Sequence, residues 1–343
     1  MKFRFYRELN SNRKAPKILT KYALKRNVNM REQLERLRDI LTNPECPGSV
    51  LEFRGDHLYC TETHAVFPIT ESGCVDFVGS YEQVHSPISK GIMFRINEFY
   101  NQRLEQKISN SWFAVGGCAD GKIKKTLHEW LQNFQGLVLD IGAGDCSNKR
   151  YLGPGAQYIS LDKTDVTKLS PWRHADPDIN GDALKLPFRD NSIDAIMNVF
   201  VLEHVTDPAR AIREMARVLK PGGKLFLVGP GDILPSHGEP HIYYNMTRYA
   251  YAHVFSECGL QIIEEQYPSK AFLSAISIIY KAIVRNDVYN KNTVLKLIQA
   301  MILGISLPLS VFVNLICEAC DRVIPFDRRG YSTYVALVTK KST

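Results

Sequence analysis

The sequence predicts an α/β protein built on a doubly wound, mostly parallel sheet, and three observations carry that expectation. Between residues 137 and 229, short apolar runs alternate with helical periods, as they do when helices cover both faces of a sheet. The run Val138-Leu139-Asp140-Ile141-Gly142-Ala143-Gly144-Asp145 ends in an acid followed by glycines at alternate positions. It reads as a buried strand breaking into a tight loop that a ligand can approach closely. Twenty-two residues after Asp140, the strand over 158–161 ends at Asp162, where an acid is placed to accept hydrogen bonds from ribose hydroxyls.

The chain has 343 residues and 45% hydrophobic content, enough for about two domains with an ordinary core. Its net charge of +7 is concentrated at the start, where residues 1–45 hold 12 Lys/Arg against 5 Asp/Glu. Such a leader can meet nucleic acid, an anionic membrane or simply water. Charges interrupt the segment behind Met1, so no secretory signal is expected. The eight cysteines lack framework spacing, which fits reduced thiols and a cytoplasmic location.

Four segments follow from the pattern: a basic helical leader over 1–42, a small β-rich module over 43–80, a helical linker over 81–136, and a ligand-binding domain over 137–343. Leu34, Leu37 and Leu41 predict a helix over 31–41, and a second helical stretch covers 92–104. Ile123, Leu127, Trp130 and Leu131 share a face of a helix over 120–134, with Trp130 expected in the core. An amphipathic face over 209–219 is stopped by Pro221-Gly222-Gly223. Thr247 is placed as the N-cap of a helix that ends before Gly259. Strands are predicted over 224–228, 260–264 and 333–339. Between the last two, an insertion over 270–330 holds apolar stretches at 271–284 and 294–317. Their length approaches that of a membrane span. Because the final strand must return to the sheet, either an even number of crossings, helices lying at a membrane surface over 271–317, or an ordinary core is compatible.

Further motifs stand in order after Asp162: Asn180-Gly181-Asp182-Ala183, then 192–198 ending at Asn198, then Leu202-Glu203-His204. Together with the Asp140 loop, this set resembles the class I S-adenosylmethionine-dependent methyltransferases of the type 11 group, over roughly residues 120–265. A dinucleotide-binding dehydrogenase fits less well, since the third glycine of its fingerprint is missing near Cys146. The resemblance implies a Rossmann-like, seven-stranded sheet whose last two strands pair antiparallel, and S-adenosylmethionine as cofactor. It also implies roles for residues. Asp140, Gly142 and Gly144 would lie under the methionine moiety, Asp162 would take the ribose, Asp182 with Ala183 would face the adenine, and Asn198 would lie beside the methionine part.

Candidate catalytic residues are His204, just after the fourth strand of the domain, and His237 and His241 on the loop His237-Gly238-Glu239-Pro240-His241. A histidine near neutrality suits proton removal from an acceptor. The module over 43–80 resembles the zinc-ribbon-like unit that precedes some bacterial methyltransferase domains. Here the second member of each cysteine pair is replaced, by Ser49 after Cys46 and by Thr63 after Cys60. Hydroxyls are poor zinc ligands, so no metal is expected. The apolar insertion and the histidine loop point to O-methylation of a small-molecule, glycan or lipid-linked acceptor. The basic leader keeps an RNA methyltransferase as the alternative, and a non-catalytic cofactor-binding scaffold as a second one.

Overall fold

The structure is a computed structural model, and it describes residues 37–79, 117–164, 176–231, 244–284, 293–324 and 330–342. Most of the leader, the helix expected over 92–104 and the loop carrying His237 and His241 lie outside the described residues.

The N-terminal module forms a three-stranded antiparallel sheet from β1 (Leu51–Arg54), β2 (His57–Cys60) and β3 (Val66–Pro68). The β1–β2 turn passes through Gly55 at φ +70°, a left-handed conformation that costs glycine little. The positions where a ribbon would place thiolates are tied together by hydroxyls instead. Ser49 Oγ accepts from Asn43 N at 3.1 Å, and Thr63 Oγ1 accepts from Asn43 Nδ2 at 2.8 Å. Among the described residues, no cluster of three or more potential ligands is suited to a metal.

The chain then contributes β4 (Val75–Asp76), α1 (Gly117–Leu131), β5 (Gly136–Ile141), β6 (Ala156–Asp162), β7 (Ile179–Asn180) and β8 (Ile193–Val199). There follow α2 (Pro208–Val218), β9 (Leu219–Pro230), α3 (Arg248–Glu257), β10 (Leu260–Gln266), α4 (Ala271–Val284), α5 (Thr293–Val323) and β11 (Thr333–Lys340). The main sheet runs β10-β11-β9-β8-β5-β6-β7-β4. Strands β4 to β9 are mutually parallel, and β11 pairs antiparallel with both β9 and β10.

Among the described residues the sheet therefore has eight strands, one more than the seven the resemblance implies. The extra strand, β4, belongs to the N-terminal segment. Val75 N donates to Asp178 O and Phe77 N to Asn180 O, both at 3.0 Å. The buried Asn180 side chain donates to Asp76 Oδ1 at 2.7 Å and accepts from Thr164 N at 2.9 Å. A two-residue β7 would otherwise leave an open edge, and edges need covering.

Alternation along the strands sends successive side chains to opposite faces. Leu139, Ile141, Ile159 and Ile196 pack with Ile212, Met215 and Phe255 of α2 and α3. Val138, Ala195, Met197 and Phe226 pack with Ile123, Leu127 and Leu131 of α1. Trp130 sits half-buried, edge-on to Phe226 at 5.7 Å between centroids, a favourable aromatic geometry. Asp207 caps α2 by accepting from Arg210 N, and Thr247 caps α3 by accepting from Ala250 N. These bonds satisfy amides that a helix start leaves without partners.

The insertion forms a helical hairpin. Since β10 runs parallel to β9, it ends at the carboxyl edge of the sheet, and α4 starts there. After α5 the chain re-enters the sheet at the same edge, with Thr333 opposite Pro230. Asp321 Oδ1 and Oδ2 accept from Phe272 N and Leu273 N at 3.0 and 3.2 Å, and Glu318 pairs with Lys122 of α1. Helix α5 is continuous through Pro308. No described helix is long and apolar enough to cross a membrane.

Candidate functional site

Strand order reverses between β5, whose successor β6 lies on one side, and β8, which lies on the other. Ligands of open parallel sheets sit outside the carboxyl ends of the strands at such a switch. Five of the sequence-predicted residues meet there.

Asp140, near the end of β5, is fully buried, and its Oδ2 accepts from Tyr158 Oη at 2.9 Å. Its other oxygen has no hydrogen-bond partner. Gly142 and Ala143 donate to Leu161 O at 2.8 and 3.2 Å, which folds the loop back over β6. Asp162 locks it there: its Oδ2 accepts from Gly144 N and its Oδ1 from Lys163 N, each at 2.7 Å. Gly142 has φ +72°, and a β-carbon on it would run into Val201. Gly144 has φ +54° with no atom within 4 Å of where a β-carbon would stand. The first glycine serves packing; the second leaves room over the loop.

Asn198, in β8, is fully buried; its Nδ2 donates to Ile141 O at 3.3 Å, and its Oδ1 is unpartnered. After it, Phe200 adopts a left-handed backbone at φ +54°, a conformation that non-glycine residues hold only when their surroundings enforce it. A short 3₁₀ turn, Leu202–His204, follows. His204 is half-buried at its end. Asp182 stands one strand further over, beyond β7, with Ala183 half-buried beside it. Its Oδ1 accepts from Leu184 N and its Oδ2 pairs with Lys163, both at 2.9 Å.

Sequence reasoning passed over Glu203. It is buried, and neither carboxylate oxygen has a hydrogen-bond partner. Burial pushes its carboxyl up to about 7, and burial, opposed by the Tyr158 hydrogen bond and aided by the Asp162 and Asp145 carboxylates, pushes Asp140 to about 7. The motif Leu202-Glu203-His204 marks the segment but not this burial, which depends on residues distant in sequence. Tyr158 and Lys163, which engage Asp140 and Asp182, were equally unmarked.

These two raised values predict a pH dependence. The ordinary values are 3.8 and 4.5, so the folded, ligand-free protein binds more protons than the unfolded chain between about pH 4 and 7. Stability is then greatest at the acid end of that window and falls as pH rises, by up to about 1.4 kcal/mol per unit for each group. Chemical denaturation of Asp140→Asn, compared with wild type across the window, should show a flatter slope. Equal slopes would mean that Asp140 ionises normally.

A family model described as a methyltransferase domain matches residues 139–227, a span that includes Asp140, both loop glycines, Asp162, Asp182, Ala183, Asn198 and His204. Over residues 139–227 the chain is similar to methyltransferase domains. Within curated proteins, a demethylmenaquinone methyltransferase of Renibacterium salmoninarum is 45% identical over 91 residues, covering 26% of this chain and 38% of that protein. A ubiquinone/menaquinone biosynthesis C-methyltransferase of Pseudomonas putida is 42% identical over 103 residues, covering 26% of this chain and 40% of that protein. The chain thus spans about two fifths of the length of these relatives. Among solved structures, Haemonchus contortus phosphoethanolamine N-methyltransferase 2 in complex with S-adenosyl-L-methionine is 15% identical, with a TM-score of 0.40 over 71% of this chain and 60% of that one.

A methyltransferase domain takes a methyl donor, and the sequence resemblance implies that the donor is S-adenosylmethionine. The residues at the switch fit it. Unpartnered buried oxygens on Asp140 and Asn198 supply acceptors, which buried polar groups require to be matched, and the open space over Gly144 admits a ligand's backbone-facing edge.

Proposed function

We propose that the protein methylates a small, lipid-linked acceptor of the phenol or hydroquinone class, using S-adenosylmethionine. The observation that carries the reading is the helical hairpin, which leaves and re-enters the sheet at the carboxyl edge that bears the donor residues. It sets an apolar element beside the place where the acceptor must dock. The names of the quinone-modifying relatives support the same class. A phenolic acceptor that loses its proton is nucleophilic at oxygen and at the ring carbon beside it, so it accommodates both the O-methylation expected from sequence and the C-methylation of the Pseudomonas relative's name.

The cofactor supplies a methyl group on a sulfonium, which departs as a neutral thioether. The chain's part is to hold donor and acceptor in line and to take the proton, since alignment supplies much of the rate. Asp140, Gly142, Gly144 and Asn198 hold the methionine end, Asp162 the ribose, and Asp182 with Ala183 the adenine. His204 takes the acceptor proton, and His237 and His241 orient the acceptor. Glu203, raised toward neutrality and close to the Asn198 strand end, is the alternative base.

The test is methyl transfer from radiolabelled donor to a mixture of total RNA and a lipid extract holding demethylated hydroquinones. Label is expected in the organic phase. Label in RNA alone would replace this reading with the RNA methyltransferase, and no label from a donor-binding protein would replace it with the scaffold.

A further inference from the structure

We propose that the α4–α5 hairpin is a docking element for an anionic phospholipid surface, with the outer face of α5 seated in the lipid. This inference does not depend on the acceptor.

The polarity of the hairpin is inverted relative to a water-facing one. Ile298, Met301, Ile305, Leu309, Phe312 and Ile316 are all exposed, four of them above 59%. Their spacing of three and four places them on one side of the helix, as a stripe of about 27 Å at 1.5 Å per residue. Among the described side chains, the seam between the helices holds polar groups: Ser274, Ser277, Ser310 and Asn314 are buried, and Tyr280 Oη and Ser306 Oγ are 3.3 Å apart. Small residues and side-chain hydrogen bonds inside with apolar groups outside is the arrangement that helices adopt against lipid rather than water. Among the described residues at the base, Leu273 packs with Ala119 and half-buried Cys317. An exposed apolar band of this length on a water-soluble protein marks an interaction site.

Charge selects the occupant. The hairpin helices hold two acids, Glu318 and Asp321, and both are engaged at the sheet-proximal end, by Lys122 and by the first amides of α4. Away from that end α4 carries Lys281 and α5 carries Lys296, and neither helix holds an acid there. Cations beyond an apolar stripe complement anionic headgroups, which add electrostatic attraction to apolar insertion. A second copy of the chain would bring the same cations together. With no described helix able to cross a membrane, the geometry is that of an element lying in one leaflet's interface.

The full chain, without methyl donor or acceptor, is floated with vesicles of phosphatidylglycerol and phosphatidylcholine, with phosphatidylcholine alone, and with no lipid. Wild type should float with the anionic vesicles and at least tenfold less with the neutral ones. Leu309→Glu with Phe312→Glu, both exposed positions, should reduce flotation at least tenfold while leaving the thermal unfolding midpoint unchanged. In Phe312→Trp, brominated lipids should quench the new tryptophan. Wild type that stays unbound with anionic vesicles, or binding that survives the double substitution, overturns the proposal. So does a stable dimer in lipid-free solution that the same double substitution converts to monomer. Vesicle binding without methyl transfer leaves this inference standing while removing the proposed activity, so the two fail separately.

Discussion

Asp162→Ala is expected to weaken S-adenosylmethionine binding by about a hundredfold. In the folded chain its two oxygens accept from Gly144 N and Lys163 N at 2.7 Å each, so the carboxylate staples the β5 loop to the tip of β6. Hydrogen bonds to a charged group contribute about 1.5–3 kcal/mol each in mutational series, so releasing both lets the loop drift and costs about 3 kcal/mol of donor affinity even before any direct contact to the ribose is counted. Calorimetric titration of wild type, Asp162→Ala and Asp162→Asn reads it directly. Asparagine keeps one acceptor and should fall between the two. Unchanged affinity in the alanine variant would remove Asp162 from the donor site.

Gly142→Ala is expected to cost about 2–5 kcal/mol of stability, combining a left-handed backbone with an overpacked contact. The φ of +72° disfavours any side chain, and the added carbon would meet Val201. The two contributions can be separated by a double substitution. Adding Val201→Ala should return the steric share, about 1–3 kcal/mol, and leave the backbone share. Gly144→Ala makes the contrast, since its φ of +54° carries a similar backbone cost but its β-carbon meets open space. That variant should lose only the backbone share of stability, about 1–2 kcal/mol, and lose donor affinity as well. Denaturant titrations with and without the donor distinguish the two glycines, and equal behaviour would contradict the separate roles assigned to them.

Much of this arrangement was legible because it follows from local chemistry. Parallel strands buried on both faces are written as unbroken apolar runs, and Leu139, Ile159 and Leu225 occupy the core such runs predict. Thr247 caps α3 because a hydroxyl three residues ahead of a free amide is a local device. What was not legible depends on distant partners. Strand β4 has two residues, too few for any period, and its identity as a strand comes from Ile179 and Asn180. The ion pair of Asp182 depends on Lys163, nineteen residues away in the chain. The burial of Glu203 depends on the packing of α3, since the Tyr251 ring lies close enough to feel its charge. His237 and His241 lie outside the described residues.

The position of β11 has a consequence for how the protein is made. It lies between β9 and β10, yet about a hundred residues of chain separate Thr333 from its partner Pro230, a closure that is slow on topological grounds. On the ribosome, β10 and the whole hairpin emerge before the strand that joins them to the sheet exists. During that interval β9 presents a bare edge, and the hairpin is held to the body by contacts such as that of Glu318 with Lys122 of α1. Only when β11 pairs with both neighbours is that edge closed and the hairpin fixed between two strands of one sheet.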